Sequence, residues 1–239
     1  MAAAVKATPK LVVRTFNKIN AAGLARFDPS VFSISDDEKS GAHAILLRSH
    51  KLTAKDVPVM CRSIARCGAG TNNCDVPLMT SLGVPVFNTP GANANAVKEL
   101  ALCGLFLASR GVMEGATKMQ SLHESGEAHA QIEKVKAQFG GRELAGKTLG
   151  VVGLGAIGAA VLKAALDLKM EVVGFDPALS VDAALKLPGH RIRIVDSLED
   201  LAKASDYISL HAPANDHTHG MINTQLLAQM KPDACILNF

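Results

Sequence analysis

A GxGxxG motif spans residues 153–158 and is the most informative cluster of residue types in the sequence. The residues before it, 147–152, are predicted to form a strand, and those after it have the apolar periodicity of a helix. A second predicted strand, 171–175, leads into Asp176, 18 residues after the last glycine. Strand, glycine turn, helix and acid in this order are typical of a dinucleotide-binding βαβ unit.

Each part of this unit has a physical role in binding a dinucleotide. Gly153 makes the tight turn, Gly155 lets backbone amides approach the pyrophosphate, and Gly158 lets the helix pack closely on the strand. Asp176 can accept hydrogen bonds from the adenosine ribose and repel a 2′-phosphate, so the motif favours NAD over NADP. Two alternatives stay open: a flavin or adenosyl-methionine site, and a glycine turn that binds nothing.

Eight histidines offer candidates for a general acid or base, and none of them is well placed. His211 ends a predicted strand, where a histidine bonded to the backbone is the favoured interpretation. His217 and His219 lie in a polar loop without further ligands at metal-binding spacing. No metal site is predicted.

Length and composition bound the remaining function classes. The chain has 239 residues, of which 48% are hydrophobic and 20% charged, as is typical of a globular protein. A net charge of +3 and an aromatic content of 4% argue against a nucleic-acid partner, which needs a basic or base-stacking surface. The longest uncharged apolar run, 100–109, is too short for a membrane span, so no membrane partner is expected.

The cysteines and the N-terminal residues bear on localisation. Five cysteines without a CxxC pair indicate a reducing compartment. No acidic residue precedes Asp28, as in some organelle-targeting leaders, yet residues 11–16 already have the pattern of a strand. We expect a cytoplasmic protein with a short leader, and an organelle-targeted form stays open.

Strand-like apolar runs alternate with helix-length segments along the whole chain, which predicts an α/β fold with parallel sheets. The predicted strands form two series, and a Pro-Gly break at 88–91 separates them. The first series is 11–14, 44–48, 62–67 and 84–87, with a helix over 75–82, and the second is 147–152, 171–175, 191–195, 207–211 and 235–239. We therefore expect two domains, 1–92 and 93–239.

Two segments after the break have contrasting patterns. Residues 96–108 form a predicted helix that is apolar on every face, with an N-cap at Asn93 or Asn95. Such helices are buried on all sides, so we expect this one to pack between domains or between subunits. The segment 114–141 is mixed in charge and is predicted to be a solvated excursion from the surface.

Several motifs resemble those of the D-isomer-specific 2-hydroxyacid dehydrogenase family. The resemblance covers essentially the whole chain and is closest to members that oxidise 3-phospho-D-glycerate. The matching segments are 47–50, 66–73, 86–100, the glycine motif with Asp176, 211–213 and 236–239. The resemblance implies a flavodoxin-like N-terminal substrate domain, an NAD-binding Rossmann domain incomplete at its C-terminus, and a homodimer or higher homo-oligomer.

The resemblance also implies roles for single residues. The substrate-binding set is Arg48, Ser49, Arg66, Gly68 and Gly70, and the cofactor-binding set is Ala69, Gly153, Gly155, Ala156, Ile157, Gly158, Asp176, Ala212, Pro213 and Phe239. Arginine forks suit a phosphate dianion. Charge alone favours surface ion pairs for both arginines, whereas their position at predicted strand ends favours substrate binding. His50 stands where some relatives carry a second basic residue.

The implied reaction is the oxidation of 3-phospho-D-glycerate to 3-phosphohydroxypyruvate with NAD, the first step of serine biosynthesis. Family members continue beyond the position of Phe239 with Ala-Arg-Gly and, later, with the glutamate and histidine that move the proton. The sequence is therefore interpreted as a fragment without catalytic residues, inactive by itself. The alternatives are a dehydrogenase for another D-2-hydroxy acid and a non-catalytic, corepressor-like protein that senses dinucleotides.

Overall fold

The computed structural model describes residues 9–37 and 41–239 and divides after Ala92 into two compact units. Each unit is built on a five-stranded parallel sheet. The predicted α/β fold class is confirmed. Among the described residues, no helix has the length and apolar character needed to cross a bilayer.

The first unit has the strand order β2-β1-β3-β4-β5, which is the order of flavodoxin-like folds. Its elements are β1 (Leu11–Thr15), α1 (Ala21–Leu24), β2 (Phe32–Ser35), β3 (Ala44–Leu47), β4 (Ser63–Arg66), α2 (Val76–Ser81) and β5 (Val86–Asn88). Apolar residues of the two central strands and of α2, including Ile45, Ile64 and Met79, are fully buried and form its core. Because β3 and β4 pair in parallel, their carboxyl ends lie side by side, with Leu47 opposite Arg66.

The second unit has the order β10-β9-β6-β7-β8, that of the first five strands of a Rossmann fold. Its elements are α3 (Ala94–Ser109), α4 (Val112–Glu124), α5 (Ala128–Lys136), β6 (Thr148–Val152), α6 (Ala156–Asp167), β7 (Glu171–Phe175), α7 (Val181–Leu185), β8 (Arg193–Ile194), α8 (Leu198–Ala204), β9 (Tyr207–Leu210), α9 (Thr224–Leu227) and β10 (Cys235–Asn238). Strand β6 is buried on both faces, because Val151 packs in the cluster with α6 and Val152 in the cluster with α8.

Edge strands account for most differences from the predicted elements. β2 was not predicted, because its four residues, FSIS, give too short a pattern and it pairs only with β1 at the sheet edge. The run 191–195 forms a strand only at 193–194, where it pairs with β7 at two positions. Edge strands gain hydrogen bonds on one side only, so their ends are poorly determined by local sequence.

Helix α3 begins after Asn93, one of the two predicted N-cap residues, and is less buried than its apolar pattern predicts. Asn93 is its N-cap residue, but neither Asn93 nor Asn95 caps it with a side-chain hydrogen bond. The helix is not buried on all sides within the chain, because only Ala101, Leu105 and Ser109 are buried. Leu100 and Phe106 are 53% and 46% exposed. The buried face packs on α6 and β10, and none of the residues in 9–37 and 41–239 fully covers the apolar stripe.

The segment 114–141 folds into helices α4 and α5, and each buries one apolar residue, Leu122 and Val135.

Arg142, in the loop after α5, joins the starts of two strands. Its Nε donates to the Oη of Tyr207 at 3.0 Å, and its Nη atoms donate to the carboxylate and, at 2.7 Å, to the carbonyl of Asp233. The hydrogen bond to Tyr207 raises the pKa of Arg142, so this loop is tied to β9 and β10 by a permanent cation.

Candidate functional site

The glycine loop lies between the carboxyl end of β6 and the start of α6. Gly153 has a φ of +87°, and a Cβ there would lie 2.7 Å from the carbonyl oxygen of His211. A Cβ at Gly158 would lie 1.9 Å from the carbonyl oxygen of Gly153. Both positions exclude every other residue type, which agrees with the turn and the close packing predicted for them.

Gly155 differs from the other two glycines, because a Cβ there would meet no atom within 4 Å. The fold therefore leaves open space over this residue. No side chain caps α6, and the amides of Ala156 and Ile157 find no hydrogen-bond partner within 9–37 and 41–239. Free amides at a helix N-terminus bind anions, so the loop fits the pyrophosphate of a dinucleotide.

Asp176 follows β7 directly and faces the glycine loop. Its Oδ2 accepts a hydrogen bond from the amide of Leu154 at 2.8 Å, and its Oδ1 accepts one from the amide of Ala178 at 2.9 Å. Each carboxylate oxygen keeps a further lone pair for a ribose hydroxyl. Asp176 thus holds the loop in shape as well as offering the acceptor that the sequence predicts.

His211 closes the site at the end of β9. Its amide donates to the carbonyl of Val152 at 2.7 Å, and its Nε2 lies 2.8 Å from the hydroxyl of the fully buried Ser209. The imidazole is therefore bonded to a hydroxyl, whereas the sequence predicted a bond to the backbone. Burial lowers the pKa of His211 from 6.5 to about 4, so the imidazole is neutral at neutral pH.

The residues after His211 form the rest of this edge. Ala212 is half-buried and packs on the apolar cluster around Val152, whereas Pro213 is exposed. The hydroxyl of Thr218 donates to the carbonyl of Pro213 and shapes the polar loop that carries the exposed His217 and His219. Within the described part of the chain, no three His, Cys, Asp or Glu side chains form a set that could hold a metal ion.

Phe239, assigned to the cofactor by resemblance, follows β10, one strand further from the glycine loop than His211. Its ring lies against α3, because a Cβ at Gly104 would be 2.9 Å from its Cζ. The ring is 50% exposed. The structure therefore gives the Phe239 side chain a packing contact.

The first unit carries a second group of predicted residues at the adjacent ends of β3 and β4. Arg66 donates from Nε to the carbonyl of Arg48 at 3.2 Å. Its guanidinium covers Gly68, where a Cβ would be 1.6 Å from Nη1. Neither arginine forms an ion pair within the described ranges, so the surface ion-pair interpretation finds no support there.

The loop after Arg66 is held by β5, and its first glycine, Gly68, is buried. The carbonyl of Ala69 accepts from Nδ2 of Asn88 at 2.7 Å, and the carbonyl of Gly68 accepts from the amide of Thr89 at 2.9 Å. Ala69 and Gly70 are themselves exposed. The structure thus brings Arg48, Arg66 and the 68–70 loop together at one sheet edge.

The side chain of His50 contacts two residues of the first unit, Phe16 and Asp56. Its ring stacks on Phe16 with centroids 4.2 Å apart, and its buried Nε2 faces the carboxylate of Asp56 at 3.5 Å. This nitrogen is not free to bind a phosphate.

Sequence reasoning missed two asparagines that contact the residues after β3. Asn17 accepts hydrogen bonds from the amides of Ser49 and His50, and Asn73 donates to the carbonyls of Arg48 and His50. The sequence separations are 23 to 33 residues, so no local spacing could have indicated these contacts. The available signals are that Asn17 lies just after a predicted strand and that Asn73 belongs to the matching segment 66–73.

Comparison with known proteins adds family-level findings. The family model described as "D-isomer specific 2-hydroxyacid dehydrogenase, NAD binding domain" matches residues 105–239. The D-3-phosphoglycerate dehydrogenase of Methanocaldococcus jannaschii is 32% identical over 200 residues, covering 82% of this chain and 36% of the relative. The hydroxypyruvate reductase of Thermotoga maritima is 41% identical over 175 residues, covering 73% of this chain and 52% of the relative.

The chain therefore spans about a third to a half of the length of these curated relatives. A solved structure of NAD⁺-bound 3-phosphoglycerate dehydrogenase from Entamoeba histolytica has a similar fold, with a TM-score of 0.72 and 21% identity. That match covers 96% of this chain and 72% of the solved chain. The likeness shows that the fold of this chain is similar to that of the solved enzyme.

Proposed function

We propose that this chain, which belongs to the D-isomer-specific 2-hydroxyacid dehydrogenase family, is part of an enzyme that oxidises 3-phospho-D-glycerate to 3-phosphohydroxypyruvate in the first step of serine biosynthesis. NAD is the cofactor of the matching domain. The observation that supports the substrate class is the pair Arg48 and Arg66, which are joined by a hydrogen bond from Nε of Arg66 to the carbonyl of Arg48 and have no anionic partner among the described residues.

The cofactor is held by groups of the second unit. The amides of Ala156 and Ile157 bind the pyrophosphate, and Gly155 leaves room for it. Asp176 accepts hydrogen bonds from the ribose hydroxyls and excludes a 2′-phosphate by charge repulsion. When bound, NAD accepts the hydride from C2 of the hydroxy acid.

The substrate anion is bound in the first unit. Two guanidinium forks can hold a phosphate dianion by several charge-assisted hydrogen bonds, whereas an unphosphorylated hydroxy acid offers one carboxylate. Gly68 lets the Arg66 guanidinium lie over the 68–70 loop. These features favour a phosphorylated substrate, although relatives of this family carry names with different substrates.

The hydroxyl proton must go to a base while the hydride leaves. The buried neutral imidazole of His211 is a poor candidate, since its pKa of about 4 makes it a weak base. The resemblance implies an arginine and a glutamate–histidine pair later in the sequence for this step. We propose that residues 1–239 bind cofactor and substrate anion but do not transfer the proton.

The full-length protein tests this function in a substrate series. With NAD, kcat/KM for 3-phospho-D-glycerate should exceed that for D-glycerate and D-lactate. Arg66→Ala should raise the KM for 3-phospho-D-glycerate, and the fall in kcat/KM should correspond to a loss of about 1.5 to 3 kcal/mol of transition-state stabilisation. Equal values for phosphorylated and unphosphorylated acids would favour another D-2-hydroxy acid. NAD binding without turnover of any of them would favour the dinucleotide-sensing alternative.

The assembly of the protein is a separate proposal. Leu100, Phe106 and Leu107 leave an apolar stripe on α3, 38% to 53% exposed within this chain. Apolar stripes of this kind are covered when subunits associate. We propose that this stripe contributes to a homodimer or a higher homo-oligomer. Sedimentation of the full-length protein should show a mass of at least two chains, and a Leu100→Glu substitution should shift it toward the monomer.

A further inference from the structure

We propose that Asn17 and Asn73 are positioning residues that hold the backbone of residues 48–50 in the shape needed to bind the substrate anion. These three residues, Arg48, Ser49 and His50, are called the arginine loop below. The inference rests on the proposed function, because it assumes that Arg48 contacts the anion.

Asn17 receives two donors of the arginine loop. Its Oδ1 accepts hydrogen bonds from the amide of Ser49 at 3.0 Å and from the amide of His50 at 2.8 Å. Asn17 has a φ of +66°, in the left-handed region that asparagine tolerates better than most residues. Two successive loop amides therefore converge on one oxygen atom at the end of β1.

Asn73 donates hydrogen bonds to carbonyl groups of the same loop. Its Nδ2 donates to the carbonyl of Arg48 at 3.0 Å and to the carbonyl of His50 at 2.8 Å. Its own carbonyl accepts from the amide of Leu52 at 2.8 Å, next to an isolated parallel bridge between Leu52 and Cys74. The segment carrying Asn73 is thus fixed to the chain just beyond the loop.

The two asparagines together engage four backbone groups of three residues. Without them, these groups would hydrogen-bond to water, because Arg48 and Ser49 are exposed and Asn17 is itself exposed. A loop held by water samples many conformations, and ordering it on substrate binding costs affinity. The network therefore favours binding by pre-organisation more than it stabilises the core.

The same network links the two arginines. The carbonyl of Arg48 accepts both from Nδ2 of Asn73 and from Nε of Arg66. A displacement of this carbonyl would shift the backbone that carries Arg48 and remove the acceptor that holds the Arg66 side chain. The far end of the loop is seated by the stack of His50 on Phe16. The geometry of the anion site thus depends on residues that are not assigned to touch the anion.

The test uses the full-length protein with variants matched in shape. Asn17→Gly keeps the left-handed backbone and loses the acceptor, whereas Asn17→Asp keeps the acceptor. Asn73→Asp keeps the shape and loses both donors. Asn20→Gly is the control, since it removes a similar exposed side-chain bond, from the amide of Ala22 to Oδ1 at 2.9 Å, that caps α1.

We expect Asn17→Gly and Asn73→Asp each to raise the KM of the hydroxy-acid substrate by about tenfold, with kcat changed by less than about twofold and the KM of NAD unchanged. Asn20→Gly should leave all three constants unchanged. Asn17→Asp and Asn73→Asp each add a negative charge near the anion. As salt screens that charge, the KM of Asn17→Asp should approach the wild-type value, whereas the KM of Asn73→Asp, which also lacks the donors, and that of Asn17→Gly should stay raised.

The outcomes separate this inference from the proposed function. If the wild-type protein uses an unphosphorylated acid, the substrate proposal is wrong, and the KM ratios for that acid still test the positioning role. A KM that is unchanged in both Asn17→Gly and Asn73→Asp would overturn the inference. So would a rise of the same size in Asn20→Gly, because it would show that loss of stability alone accounts for the effect.

Discussion

At the scale of single residues, Asp176 combines two tasks in one carboxylate. It accepts hydrogen bonds from the amides of Leu154 and Ala178, and in the proposed function its remaining lone pairs accept hydrogen bonds from a ribose. Fixing the loop and selecting the cofactor are therefore coupled, because a substitution that removes both carboxylate oxygens also releases the loop.

This coupling predicts the effect of Asp176→Ala on cofactor choice. The full-length protein should prefer NAD to NADP, and the variant should narrow the difference by on the order of 1 to 3 kcal/mol in kcat/KM. NAD should also bind more weakly, because Leu154 loses its acceptor. Asp176→Asn keeps an acceptor and should retain more NAD affinity. A wild-type protein that uses both cofactors equally would remove Asp176 from the ribose role.

Gly68 gives a second prediction at this scale. A Cβ at position 68 would lie 1.6 Å from Nη1 of Arg66, the mobile end of a long side chain. Gly68→Ala should therefore displace the guanidinium and raise the KM of the phosphorylated substrate, with little change in the KM of NAD. Gly83→Ala is the matched control, because Gly83 also has a positive φ, +69° against +156° at Gly68, and no atom lies within 4 Å of its Cβ. An unchanged KM in Gly68→Ala would mean that the Arg66 guanidinium binds from elsewhere.

His211 predicts how stability depends on pH. Its folded pKa of about 4 lies below the unfolded value of 6.5, so the unfolded state takes up the proton first as the pH falls. The contribution of the neutral imidazole to the free energy of unfolding is fully present above pH 6.5 and decreases toward pH 4. The decrease is on the order of 1 to 3 kcal/mol after allowance for partial exposure. In urea unfolding, His211→Gln should lose less stability than the wild type between these pH values. Parallel losses in both proteins would contradict the assignment.

At the scale of elements, the loop after α5 is joined to the sheet through Arg142. Its guanidinium reaches Tyr207 at the start of β9 and Asp233 just before β10. Tyr207 is fully buried, so its hydroxyl depends on this partner.

Arg142→Ala should therefore lower the free energy of unfolding by about 1.5 to 3 kcal/mol, since it leaves a buried hydroxyl unpaired and removes a charge-assisted bond. Tyr207→Phe in the Arg142→Ala background should cost less than Tyr207→Phe alone. Urea unfolding of the four proteins in a double-mutant cycle measures this coupling, and additive losses would show that the two side chains act independently.

The elements also show which features local sequence encodes. The glycine turn was predictable, because Gly153 and Gly158 are required by contacts within a few residues or at a strand end. Strand β2 and the network of Asn17 and Asn73 were not, because they depend on partners far away in the sequence. An apolar helix such as α3 has the same sequence pattern whether this chain or another covers it, so packing between subunits stays a prediction.

At the scale of the whole molecule, each unit contributes one half of the proposed chemistry. The second unit has the free helix amides and the acid for NAD, and the first has the two arginines for an anion. Both groups stand at carboxyl ends of parallel strands, where ligands of open α/β sheets bind.

We propose that this chain belongs to an NAD-linked dehydrogenase of phosphorylated D-2-hydroxy acids. NADH formation from 3-phospho-D-glycerate, measured side by side for residues 1–239 and for the full-length protein, tests it most directly. The full-length protein should form NADH, and residues 1–239 should bind NAD weakly in calorimetry without turnover. NADH formation by residues 1–239 at the rate of the full-length protein, or none by either, would contradict the account.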